Sequence, residues 1–223
     1  MIQVAQIGYH ANRDSTGMIS HALLPELQRR AYPVVMPALR SDWTVEMVRG
    51  LPDDGNRYEV IDGALLVSPA PTMLHQRAVR ELVTLLLPYV NTIGLELFFA
   101  PTAVTWSATT EVQPDLLVLP RLAGRQAERF EDVGVLDLAI EIISPSTVRT
   151  DRFTKRREYQ RRNVPEYWIV DPASRSVERW RPDDEEPEIL FDQLSWQPRV
   201  GVPAMTIDLA TYFRAVFGVP AIG

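Results

Sequence analysis

Val135-Leu136-Asp137-Leu138-Ala139-Ile140-Glu141-Ile142-Ile143-Ser144-Pro145 is an apolar run broken by two carboxylates and closed by a Ser-Pro loop. Its length and apolarity point to a buried strand over 135–143. Upstream, 112–119 reads as a second strand, with Asp115 ahead of Leu116-Leu117-Val118-Leu119. Downstream, 167–170 is a third short apolar strand, stopped by Asp171-Pro172. Further strands are expected over 95–100, 103–107 and 176–181, and the acidic run 183–186 reads as a solvated hairpin tip.

Between Thr72 and Val90 the period changes. Leu74, Val79, Leu82, Val83, Leu86 and Val90 recur at three- and four-residue spacing, which predicts a helix long enough to pack across a sheet. Strands over 57–61 and 64–68 flank Asp62-Gly63, a two-residue hairpin signal because both central positions need positive φ. A polar helix is expected over 151–162, ended by Asn163 and Pro165, and a last helix over 209–217. Ser41 or Asp42 is the candidate cap of a short helix running through Val48 to Gly50. Residues 1–40 show no sustained period and read as an irregular extension; 41–223 read as one domain. Interleaved strands and helices make the class mixed α/β, or α+β.

The bulk numbers exclude several classes. The chain has 223 residues, 46% of them hydrophobic, enough for one sizeable core. It has no cysteine, which excludes disulfides, thiolate metal sites and a cysteine nucleophile. No apolar run approaches the roughly 18 residues of a membrane helix, and Met1 to Asn12 lacks a secretory pattern, so a cytoplasmic protein without membrane contact is expected. The net charge of −6 argues against a cationic nucleic-acid coat, though not against a local basic face. Of 23 basic residues, 22 are arginine; Lys155 is the only lysine.

Asp115 and Glu141 stand where charge is expensive. A carboxylate in an apolar strand is, in the plainer reading, ion-paired or at an edge; in the sharper one it ligates a metal. If the two strands are neighbours, both carboxylates face one cleft, an oxygen-only set suited to Mg²⁺. Asp137 interrupts the same run and receives no function. The stretch 149–162 carries seven basic residues against Asp151 and Glu158. Asp151, Lys155, Tyr159 and Arg162 share one helical face by spacing. Such a face offers phosphate contacts through Arg152, Tyr159 and Arg162. The alternative is a solvated helix with Asp151–Lys155 and Glu158–Arg162 paired at i, i+4.

Pro114-Asp115, then Glu141-Ile142-Ile143-Ser144-Pro145-Ser146-Thr147, then Asp151, Lys155 and Tyr159, and finally Val164-Pro165-Glu166-Tyr167-Trp168-Ile169-Val170-Asp171-Pro172 form an ordered set. Together with Arg57-Tyr58-Glu59-Val60-Ile61-Asp62-Gly63, Ser68-Pro69 and His75, this set resembles the Uma-type restriction-endonuclease-like family of the PD-(D/E)XK nuclease superfamily. The resemblance covers about 42–217. It implies a restriction-endonuclease-like fold, a central mixed sheet flanked by helices. It also implies a metal-dependent endonuclease that hydrolyses phosphodiesters in nucleic acid, DNA above all.

In that reading Asp115 and Glu141 hold Mg²⁺ (or Mn²⁺), with the Ile142 carbonyl as a further ligand. The superfamily's lysine would stand two residues after Glu141, where this chain has Ile143; Lys155 is the expected replacement. Its ammonium would orient the attacking water or stabilise the transition state. His75 and Glu59 are accessory candidates, Glu59 reading first as a hairpin residue. Cutting both strands of a duplex implies a homodimer. Two other readings remain: a non-cutting nucleic-acid-binding module on the same fold, and an interaction protein whose carboxylates pair with arginines.

Overall fold

The computed structural model describes residues 42–219. The expected irregular extension over 1–40 lies outside the described residues, as do His10 and His21. Six strands form the central sheet: β3 (Leu95–Phe99), β6 (Leu116–Pro120), β7 (Leu138–Ile142), β8 (Glu166–Asp171), β9 (Ser176–Trp180) and β10 (Glu188–Leu190). Their order is β10-β9-β8-β7-β6-β3, and only β7 and β8 are parallel. A parallel neighbour cannot be reached by a tight turn. The crossover here is a π-helical turn over Thr150–Lys155 that continues into α3 (Arg156–Arg161).

A second sheet of four strands has the order β2-β1-β5-β4, from β1 (Arg57–Ile61), β2 (Ala64–Ser68), β4 (Val104–Ser107) and β5 (Thr110–Val112). The β1–β2 turn has Asp62 at φ 49° and Gly63 at φ 77°, the two positive values that the Asp-Gly pair predicts. A small pair, β11 (Gln193–Trp196) with β12 (Met205–Asp208), completes the strands.

Strand alternation sorts the core onto two faces. Leu116, Val118, Leu138, Ile140, Ile142, Trp168 and Val170 face α2 (Met73–Thr92) and α4 (Leu209–Phe217), which bring Leu82, Leu86, Val90, Phe213 and Val216. Leu117, Leu119, Ala139, Ile143, Tyr167 and Ile169 face the other way and pack with Ile61, Val104 and Val112 of the four-stranded sheet and Tyr159 of α3. The two carboxylates at issue belong to that second side.

Three expectations change. The single strand over 112–119 is two strands in two different sheets, β5 and β6, separated at Gln113-Pro114. Proline has no N–H for a ladder bond, so pairing stops there and the chain changes sheets. The helix expected over 151–162 starts as a π turn, which places one more residue per turn before α3 begins. The cap of α1 (Val45–Arg49) is Thr44, whose hydroxyl accepts from Met47 N–H, rather than Ser41 or Asp42. Among the described residues no helix is long and apolar enough to cross a membrane.

The interior of α2 carries a direct stability test. Leu86 is fully buried and Met73, at the start of the same helix, is 83% exposed. Leu86→Ala is expected to cost about 2–5 kcal/mol in urea unfolding, and Met73→Ala within about 0.5 kcal/mol of nothing.

Candidate active site

Four segments meet at one end of the central sheet. Strand β1 supplies Arg57 and Glu59, two residues apart and therefore on one face. Strands β6 and β7 run antiparallel with Leu116 opposite Ile140, so Asp115, just before β6, and Glu141, near the end of β7, come to the same end. The π turn delivers Asp151 and Lys155, and α2 delivers His75.

Lys155 is the centre of the arrangement. Its Nζ stands 2.8 Å from Glu59 Oε2 and 2.8 Å from Glu141 Oε1, with Asp151 Oδ1 at 3.8 Å. The ammonium is only 1% exposed. The phenol of Tyr159 donates to the same Glu141 Oε1 at 3.3 Å. Arg57 reaches three carboxylates: Nη1 is 2.8 Å from Asp115 Oδ1, Nε is 3.8 Å from Glu59 Oε2, and Nη2 is 4.0 Å from Glu141 Oε2. Asp115 Oδ2 accepts from Ile142 N–H at 2.8 Å and lies 2.9 Å from His75 Nε2. Glu59 Oε1 accepts from Gln113 N–H at 2.6 Å.

Charge is unbalanced here. Glu59, Asp115, Glu141 and Asp151 are four buried acids, facing the two permanent cations Arg57 and Lys155. Burial pushes Glu141 well above the usual carboxylate range, against the pull of Lys155. Burial likewise raises Asp151, partly offset by Lys155. Burial also opposes ionisation of Asp115, but the hydrogen bond and charge of His75, with Arg57 and the Ile142 amide, bring it down to about 2. Desolvation works against the Lys155 ammonium, yet Glu141, Glu59 and Asp151 outweigh it and hold the group charged. An ionised Asp115 only accepts, so His75 Nε2 is the donor in their bond.

Among the described residues five buried side-chain polar atoms have no hydrogen-bond partner, and three of them lie in this cluster: Glu141 Oε2, His75 Nδ1 and Glu59 Oε2, the last ion-paired with Lys155. Among the described residues no three histidine or acidic side chains are grouped to hold a metal. Mg²⁺, however, is usually held by one or two carboxylates and keeps several waters. Asp115 and Glu141 meet that need: both are oxygen donors, both lie against one guanidinium, one carries an unpartnered oxygen, and the surroundings are short of positive charge. The donor set therefore fits a hard divalent cation. Ile142 offers its N–H to Asp115.

A cleft of about 540 Å³ opens beside the cluster. Its wall includes Arg57, His75, Asp115, Ile142, Ser144 and Phe99, whereas the buried Glu59, Glu141 and Lys155 do not line it.

Asp115, Glu141 and Lys155, singled out from sequence, are thus brought together, and His75 and Glu59 join them. Glu59 is an ion-pair partner of Lys155 rather than a plain hairpin residue. Arg152, Tyr159 and Arg162, expected to contact phosphate, have partners within the chain. Arg152 bonds Glu178 at 2.7 Å and Asp171 at 3.2 Å, and Arg162 Nε bonds Glu158 at 2.8 Å while its guanidinium lies over Trp106. Tyr159 is fully buried. Elsewhere on the helix, Arg156 stacks on Trp180, and Arg161 pairs with Asp62 and Glu158. Both i, i+4 pairs offered as the alternative reading, Asp151–Lys155 and Glu158–Arg162, are in place. Arg57 and Asp151 complete the cluster without having been assigned to it. The Arg57-x-Glu59 spacing on one strand face and the Asp151–Lys155 spacing were the available signals.

Residues 45–210 match the Uma2 family, described as "Putative restriction endonuclease". Among solved structures the chain is similar to "a putative nuclease belonging to DUF820" from Anabaena variabilis ATCC 29413. The two are 21% identical over 78% of this chain and 99% of that one, with a TM-score of 0.62. At that identity the likeness shows the fold. No curated protein matches the chain.

Removing the central cation leaves three buried acids, Glu59, Glu141 and Asp151, around an empty centre. Lys155→Met is expected to cost about 3–5 kcal/mol, and adding Glu141→Gln to that variant recovers part of the loss in a urea double-mutant cycle. Acid should act through Asp115. Its carboxyl titrates at about 2 in the fold against 3.8 in the open chain. The stability it contributes is therefore complete above about pH 4 and is lost as pH falls toward 2. Circular dichroism between pH 5 and 2 in metal-free buffer is expected to show this loss in the wild type and a flatter profile in Asp115→Asn.

Proposed function

The chain belongs to the Uma2 family, and from that premise we propose that it hydrolyses phosphodiester bonds in nucleic acid, DNA first, at the Asp115–Glu141–Lys155 cluster. The observation that carries this reading is the meeting of two strand-end carboxylates around one guanidinium, with a charged lysine bonded to one of them.

Mg²⁺, or Mn²⁺ in its place, would be held by Asp115 and Glu141, and when bound would lower the pKa of a water and neutralise charge on the phosphate. Asp115 is kept ionised for that task by His75 and the Ile142 amide. Glu141 has one oxygen committed to Lys155 and Tyr159 and one oxygen free. Lys155 stays charged, so it acts through its field on the charge that grows on the phosphate and not as a base. His75 donates through Nε2 to Asp115 and lines the cleft with Nδ1 unpartnered, where it would help to orient the attacking water. The cleft beside Asp115 would receive the scissile phosphate. Cutting both strands of a duplex takes two such sites, which two copies of the chain would supply.

A non-cutting module on the same fold is the second reading: of the arginines of the basic helix, Arg152, Arg156, Arg161 and Arg162 are engaged within the chain, whereas Arg149 and Arg157 are exposed and would serve binding without cutting.

Purified protein is expected to nick supercoiled plasmid with Mg²⁺ or Mn²⁺ and not with EDTA. Asp115→Asn and Glu141→Gln should each lower the rate by about a hundredfold or more, and His75→Ala by a smaller factor. Wild-type rates matched by both carboxylate variants would overturn the assignment.

A further inference from the structure

Arg57 differs from every other charge in the cluster. It alone among the cations both touches the buried acids and lines the cleft. Its side chain is 21% exposed, against 1–3% for the acids it faces and for Lys155. Its hold is also loose. Of three carboxylates within reach, only Asp115 is at hydrogen-bond distance, and the other two stand at 3.8 and 4.0 Å. A guanidinium committed to a site makes short, parallel bonds to a carboxylate. The Lys155 ammonium, with two contacts at 2.8 Å, is the fixed cation; Arg57 is the movable one.

Where Arg57 sits matters as much as how it is held. It spans Asp115 Oδ1 and Glu141 Oε2, and the latter oxygen has no hydrogen bond. Those are the carboxylates that the nuclease reading gives to the divalent ion. With Arg57 in place, two single positive charges, Arg57 and Lys155, face the four acids. A divalent ion in the same gap, beside Lys155, would bring three. The exchange therefore improves compensation in a poorly hydrated site, where uncompensated charge is costly. The displaced guanidinium has a place to go, because the cleft is open on that side and Asp53 and Asn56 in its wall offer acceptors.

We propose that Arg57 is a displaceable stand-in for the metal: it fills the gap between Asp115 and Glu141 in the metal-free protein and turns into the cleft when a divalent cation binds. The inference rests on the reading of Asp115 and Glu141 as the metal pair. It makes Arg57 a positioning residue in the empty site. Once turned out, its guanidinium lies where the scissile phosphate would enter, with the fork geometry that phosphate oxygens accept.

Calorimetric titration of the metal-free full chain with Mn²⁺ tests it, using the wild type, Arg57→Gln and Asp115→Asn. Arg57→Gln is expected to bind Mn²⁺ about tenfold tighter or more, because the ion no longer competes with a resident cation. It is also expected to have a lower melting temperature without metal and a larger rise on adding it. Equal or weaker binding by Arg57→Gln, with the wild type binding and Asp115→Asn not, would overturn the stand-in role while leaving the metal pair intact. No binding by either the wild type or Arg57→Gln would overturn both. If Arg57→Gln fails to fold, the wild type still decides. The Arg57 Nε–H signal in a ¹⁵N spectrum, assigned by its loss in Arg57→Lys, is expected to move on saturation with Mg²⁺. A signal that stays in place would overturn the proposal.

Discussion

One ammonium ties this molecule together at its working end. Lys155 Nζ bonds Glu59 from the four-stranded sheet and Glu141 from the six-stranded sheet, and it reaches both from the crossover that makes β7 and β8 parallel. Two sheets and a helix are thus fixed to one another through a single buried charge. The composition gives that charge a meaning. In a chain with 22 arginines, the only lysine stands where a compact point charge is surrounded by three carboxylates. A planar guanidinium is longer and forked, and it matches one carboxylate side-on better than several from different directions.

The rest of the site follows from what that ammonium leaves undone. It compensates part of the charge of Glu59, Glu141 and Asp151, and Asp115 falls to Arg57 and His75. Burial keeps Glu141 reluctant to ionise while Asp115 is held ionised, so two acids at one end of a sheet have opposite characters. A cluster with more acids than cations costs stability, and such costs gather at functional sites. The hydrophobic framework bears it. Both faces of the central sheet are sealed, one by α2 and α4 and the other by residues of the second sheet and α3.

Much of this was legible in the chain. The 3.6-residue period over 72–90 gave a helix observed at Met73–Thr92, and Asp62-Gly63 gave the hairpin. Asp115, Glu141 and Lys155 announced themselves as charges placed against an apolar or compositional background. What was not legible had physical causes. Pro114 marks a break, but only the fold shows that the chain changes sheets there. Strands β10, β11 and β12 are short and weakly apolar, so their pairing, not their composition, makes them strands. Arg152 and Arg162 looked like part of a phosphate surface because the sequence does not show which acids meet them. Glu178 and Asp171 claim Arg152 from strands that follow the helix in the chain. Arg57 was hidden for the same reason: its partners lie far along the chain, at positions 115 and 141.

The central claim is that Asp115 and Glu141 form one divalent-cation site next to a fixed Lys155. Anomalous diffraction from crystals of the full chain grown with Mn²⁺ tests it most directly. The account predicts one manganese peak bonded to both carboxylates, with Lys155 still bonded to Glu59 and Glu141 and Arg57 turned out of the gap. No peak there at saturating Mn²⁺, with Arg57 still bridging Asp115 and Glu141, would contradict it.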